Sequence, residues 1–173
     1  MRKIYIHTVL CATLLASYSC NNQQSSAETK DSTAVTAEAS VPVTFKDSKA
    51  DSIYQGYISL KNALVANNEE DAKQASANLE GILKTTNDSL AAQAGKISAA
   101  ATVADKRLAF NDFTENILKE IRTKVSGGTI YKQHCPMAND GKGGFWLASE
   151  KEIKNPYYGE AMLSCGTVEE EIK

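Results

Sequence analysis

Three observations predict a mainly α protein, an antiparallel bundle of three to four helices with a loop-rich C-terminal motif region, in this 173-residue chain. Between Ile53 and Ile121 apolar residues recur every three or four positions, the period of a helix that buries one face. Asn67-Asn68 and the stretch from Thr85 to Asp88 interrupt that pattern with turn-forming residues. After Gly127-Gly128 the composition shifts to Gly, Tyr, Asn and Pro, which favour turns over continued helix.

The chain starts with a different kind of segment. Arg2 and Lys3 precede a mostly apolar stretch, Ile4 to Ala16, that holds no acidic residue. That is the layout of an export signal, and the stretch falls short of the roughly 20 apolar residues that cross a bilayer. Leu14 to Cys20 (LLASYSC) resembles a lipobox, with Ser17 and Tyr18 departing from its usual residues, so residues 1–19 read as a removable signal and Cys20 as the lipidation site. The mature chain would then hang from a membrane by lipid in the cell envelope, facing the periplasm or on the outer membrane. Removing Arg2 and Lys3 leaves 17 basic against 21 acidic residues, a net charge of −4, which argues against a nucleic-acid partner. From Asn21 to about Thr44 there is no aromatic residue, Leu or Ile, and residues 20–50 read as a disordered tether.

The folded domain is expected over residues 51–173. Ile53, Tyr57, Leu60 and Leu64 form the stripe of a first helix, widened by Tyr54, Ile58 and Val65. Glu69, Glu70 and Asp71 sit where the N-terminal end of a second helix dipole favours negative charge, and Ala72, Ala75, Leu79 and Ile82 give that helix its face. Ile97, Ala101, Ala104 and Leu108, then Phe110, Phe113, Ile117 and Ile121, predict one long or broken third helix. Gly95 is the expected break and Gly127-Gly128 the expected stop. The stripes themselves are core packing and carry no function.

Chemistry concentrates in residues 129–168. Without the signal, His134 is the only histidine, Met137 and Met162 are the only methionines, and Cys135 and Cys165 are the cysteines other than Cys20. These five soft donors fall within 32 residues that also hold the single Trp146. Thiolate and thioether sulfur select Cu(I), and imidazole can add a ligand, so His134, Cys135, Met137, Met162 and Cys165 form a candidate Cu(I) site. Zinc would need a carboxylate or water to complete four ligands, and a blue-copper centre would need a second histidine. The alternative is a Cys135–Cys165 disulfide that staples the tail of an interaction module with no metal. Catalysis is not expected. The chain lacks G-x-S-x-G, C-x-x-C, the C-x-x-C-H haem attachment and a P-loop frame around Gly141-Lys142-Gly143-Gly144. Asn155 to Gly159 reads as a rigid turn.

The segment HCPMANDGKGGFW from His134, the stretch from Trp146 to Lys151, and NPYYGEAMLSCG from Asn155 resemble a bacterial envelope domain of unknown function found in small lipoproteins. That domain is similar to one appended to periplasmic adaptor subunits of copper and silver efflux pumps. The helical part fits more loosely, through Tyr57–Leu64 and Arg107–Phe113, so the resemblance spans residues 51–170. It implies a helical bundle with a metal-associated tail, a place in heavy-metal handling beside an efflux complex, and His134, Cys135, Met137, Met162 and Cys165 as the matching positions.

Overall fold

The computed structural model describes residues 41–173. The signal at 1–19, the lipidation site Cys20 and the tether as far as residue 40 lie outside the described residues. Among the described residues the protein is mostly helical, with four long helices and a few small antiparallel strands.

Strand β1 (Thr44–Phe45) leads into α1 (Ser48–Val65), so the folded part begins upstream of the start expected at residue 51. Val43 is buried and Phe45 packs on Tyr54, which anchors this stretch to the helices. Asp47 caps α1 by accepting from the Ala50 amide at 2.8 Å. Ile53, Tyr54, Tyr57, Leu60 and Leu64 are buried, as their spacing predicts. Asn67 turns the chain, and Asn68 caps α2 (Glu69–Leu83), whose first turn carries Glu69, Glu70 and Asp71. Asn87 caps α3 (Asp88–Ala99), and Thr102 caps α4 (Val103–Ile121).

The break in the third helical segment differs from the expectation. Gly95 lies inside α3, and the chain bends at Ala100–Thr102 instead. The end of α3 leaves carbonyls without helical partners. Lys106, buried one turn into α4, donates from Nζ to the carbonyls of Ile97, Ser98 and Ala100 at 3.1, 3.3 and 2.5 Å. That bend also resets the helical phase. Ala101, Ala104 and Leu108, expected on the buried face, are exposed, while Phe110, Phe113, Ile117 and Ile121 are buried. Helix α4 ends at Ile121, ahead of the expected stop, because one 3₁₀ turn (Arg122–Lys124) delivers the chain into β2 (Val125–Gly127), which pairs antiparallel with β1. Helices adjacent in sequence pack on one another, and α4 also contacts α1.

The C-terminal region, expected to be loop-rich, contains a three-stranded antiparallel sheet in the order β4 (Gly144–Ala148), β3 (Ile130–Cys135), β5 (Thr167–Ile172). Strand β4 is an edge whose free backbone groups meet the rest of the protein. The Phe145 amide donates to Asn111 Oδ1 on α4 at 3.1 Å, and the Leu147 amide donates to Tyr57 Oη on α1 at 3.1 Å. An edge strand covered in this way presents no open template for another strand. The far edge, β5, carries Glu169, Glu170 and Glu171 instead. Tyr57 stacks on Phe110 with ring centres 5.3 Å apart, Phe110 meets Tyr157 at 6.1 Å, and Tyr157 meets Trp146 edge-on at 6.2 Å. One aromatic core therefore runs from the helices into the sheet.

Candidate functional site: the Cys135–Cys165 pair

Antiparallel pairing sets His134 opposite Thr167, which brings the end of β3 against the residues just before β5. Gly166 makes the approach possible. With φ +148 it adopts a backbone that side-chain-bearing residues avoid, and a Cβ there would sit 2.8 Å from the His134 carbonyl. Cys135 and Cys165, 30 positions apart in sequence, consequently face each other with Sγ atoms 2.9 Å apart. Both carry free thiols. Their surroundings differ. Cys135 is 0 % exposed and belongs to the hydrophobic core, whereas Cys165 is half-buried at its margin. The hydrogen bond with Cys135 pushes the Cys165 thiol above its ordinary pKa, with burial and the neighbouring sulfur's charge acting in the same direction.

The other expected donors go elsewhere. Neighbouring residues on a strand point to opposite faces, and His134 turns away from Cys135. Its ring stacks on Phe145 with centres 4.4 Å apart, Nδ1 lies 3.0 Å from Glu169 Oε1, and Nε2 lies against Gly143, where a Cβ would be 2.5 Å away. Lys132 extends the same face, 4.1 Å above the Phe145 ring and 3.0 Å from Glu115. Met137 is 52 % exposed in the turn after β3, and Met162 ends a 3₁₀ turn (Gly159–Met162). Among the described residues no three His, Cys, Asp or Glu side chains converge in a metal-holding arrangement. Of His134, Cys135 and Cys165, the two thiols are in direct contact and the imidazole is on the other face of β3.

Asn155 to Gly159 is a turn, as its composition predicts, and it works as a clasp around the thiol pair. Buried Asn155 donates from Nδ2 to the Cys165 carbonyl at 2.8 Å, and its Oδ1 accepts from the Tyr157 amide at 2.8 Å. The Asn155 amide donates to the Leu163 carbonyl, also at 2.8 Å. Pro156 presents its carbonyl to Arg107 Nε at 2.7 Å, and Arg107 Nη2 reaches the Leu64 carbonyl at 2.9 Å. Tyr157 donates its hydroxyl to the Phe145 carbonyl at 2.7 Å, and Tyr158 donates to the Met137 carbonyl at 2.5 Å. Burial pushes the Tyr157 and Tyr57 hydroxyls up, so they remain protonated donors. Gly159, at φ +57, fits where a Cβ would lie 2.7 Å from the Val65 carbonyl. The two C-terminal motifs are thus one structure, with the HCPM turn tied through Tyr158 and the Cys165 segment through Asn155.

Sequence reasoning finds both cysteines but misses the residues that position them. Asn155, Arg107, Asn111 and Tyr57 act through contacts more than 30 positions away, or through a buried amide whose partner no spacing rule reveals. The pair Lys61–Glu150, at 2.8 Å, was equally illegible. Lys61 is fully buried on α1, where a helical stripe alone assigns it no partner.

The sequence pattern of a family described as a protein of unknown function (DUF3347) matches residues 53–127. The match covers the four long helices from early in α1, together with β2, and is less than half of the chain; His134, Cys135 and the Asn155 turn lie beyond it. No curated protein and no solved structure matches the chain.

Proposed function

We propose that this chain is an exported, lipid-anchored envelope protein, built as an antiparallel helical bundle, whose C-terminal sheet is stapled by a Cys135–Cys165 disulfide to form a non-catalytic interaction module. One observation carries the reading: two thiols, 30 positions apart, meet at 2.9 Å where the end of β3 lies against the segment that leads into β5. The signal-like segment and Cys20 support a compartment in which such thiols oxidise. Thiol titration of protein isolated from the envelope tests it, with Cys135 and Cys165 expected to titrate only after reduction. Cys20→Ser is expected to move the protein from the membrane fraction to the soluble one, because the apolar run before it is removed with the signal. A variant that still needs detergent would end the anchoring proposal.

The same contact favours a second reading, in which the reduced pair binds Cu(I) in heavy-metal handling beside an efflux complex. The five-donor set does not fit as one centre, since His134 and Cys135 occupy opposite faces of β3. Two thiolates fit the preference of Cu(I) for soft sulfur, and bound metal would leave them no longer available as thiols. Chelator competition separates the readings. Reduced wild type would take Cu(I) from a weak chelator, and the Cys135→Ser, Cys165→Ser double variant would not.

A further inference from the structure

The thiol pair is asymmetric, and the asymmetry decides how a disulfide there could form and break. We propose that exchange runs through Cys165, with Cys135 as the resolving sulfur, so that the redox partner is an exported thiol–disulfide exchange protein that touches only Cys165. This rests on the disulfide reading above.

Three features support it. Cys135 is 0 % exposed at the inner end of β3, opposite Gly144, where Tyr157 and Ala138 close in so tightly that a Cβ on Gly144 would lie 2.7 and 2.8 Å from them. An incoming thiolate or disulfide cannot reach that sulfur without opening the core. Cys165 lies at the margin, beside the exposed residues Leu163 and Ser164. Exchange needs an approach to the attacked sulfur from the side away from its partner, and of the two only Cys165 has any exposure from which such an approach can start. Finally, Asn155 holds the Cys165 carbonyl and Met162 accepts from its amide at 3.1 Å, so the Cys165 backbone stays beside Cys135 after a partner has attached.

The steps balance. In oxidation the Cys165 thiolate attacks the partner's disulfide, a mixed disulfide forms, and the partner's second sulfur leaves as a thiolate that takes up a proton. Cys135, having given up its proton, attacks Cys165 Sγ in the mixed disulfide. The intramolecular disulfide closes and the partner departs as a dithiol, so two electrons pass from this protein to the partner. Reduction reverses the sequence.

The test uses the reduced full chain at mildly alkaline pH, limiting iodoacetamide, and peptide masses that report each cysteine separately. Cys165 is expected to be alkylated at least about tenfold faster than Cys135, as the difference in burial requires. Oxidised glutathione then serves as the disulfide probe. Cys135→Ser should accumulate a glutathione adduct at Cys165, whereas Cys165→Ser, with its far-ultraviolet signal intact, should accumulate almost none at Cys135. Equal labelling in the wild type, or an adduct at Cys135 as fast as at Cys165, overturns the proposal. A wild type that gains glutathione at Cys165 but never closes the internal disulfide supports Cys165 as the point of attack, and overturns both the resolving role of Cys135 and the disulfide reading. An internal disulfide that forms through a Cys135 adduct overturns the exchange route alone. The alkylation arm needs no variant, so a misfolded mutant cannot obscure the result.

Discussion

The four helices and the C-terminal sheet are held together by different kinds of interaction. In α1 and α2 the buried apolar positions are set by a repeat within the helix, with an Asn or Asp cap at the start. In the sheet, single polar ties to distant residues do comparable work: Tyr57 to Leu147, Asn111 to Phe145, Arg107 to Pro156, Asn155 to Cys165. A repeat keeps its helix on the core when one polar contact is lost, because the apolar neighbours still bury the face. A single tie inside the core has no substitute, because its buried partner is left without a hydrogen bond. The helices should therefore bend little to any one polar substitution, and the sheet should respond to several.

Among the ties of the sheet, the largest effect is expected at the thiol pair. Closing a loop of about 30 residues constrains the unfolded chain by roughly 3–4 kcal/mol. Cys165→Ser should lower the stability of the oxidised protein by about that amount and that of the reduced protein by about 1 kcal/mol or less. Denaturant unfolding with and without reductant measures both. Trp146 fluorescence reports the sheet and the far-ultraviolet signal reports the helices, so a tryptophan transition that precedes the helical one in the variant would show the two regions separating. Identical losses with and without reductant would mean that the disulfide does not hold the sheet.

A smaller effect is expected where α1 meets the segment after β4. Burial raises the Glu150 carboxyl, but the hydrogen bond and charge of Lys61 outweigh it and leave the group below the ordinary carboxylate range. A depressed folded value contributes stability above the unfolded carboxyl pKa of about 4.3, and that contribution is lost as pH falls through the folded value. Glu150→Gln should cost about 1–2 kcal/mol at neutral pH, short of the 3–5 kcal/mol seen when both partners are buried, because Glu150 retains some exposure. It should also flatten, without abolishing, the acid side of the stability profile, since Glu120 and Glu171 are lowered as well. An unchanged acid limb would remove Lys61–Glu150 from the ties between the two regions.

How much was legible in the sequence follows the same division. The first two helices and the turn at Thr85–Asp88 follow from local spacing, although α2 buries Ser76 and Leu83 where Ala75 and Ile82 were expected and both stay partly exposed. The sheet was hidden because β5 carries three successive glutamates, a poor strand signature, and because β3 mixes Lys, Gln and His with Ile and Tyr. The cysteines were visible as residue types, yet their meeting depends on a strand register that no local rule supplies. His134 was grouped with them by proximity in sequence, and strand alternation turned it to the other face.

The smallest effect sharpens the comparison from the helical side. Ala101, Ala104 and Leu108 share a spacing with Ile97, and a helix continued straight past Ala100 would have buried all of them. The bend at Ala100–Thr102, held by Lys106, rotates α4 so that Leu108 is 61 % exposed while Phe110 is fully buried. Leu108→Lys should therefore change stability by no more than about 0.5 kcal/mol, the usual range for a surface substitution, because most of the side chain stays in water on folding and a lysine stem can cover the same ground. Phe110→Ala, two residues on, should cost about 3–5 kcal/mol through the cavity it opens beside Tyr57 and Tyr157. Thermal or denaturant unfolding of the two variants in parallel measures the contrast. A loss of 2 kcal/mol or more at Leu108 would mean that this face of α4 is covered, so that the continuous stripe read from the sequence describes a buried surface after all.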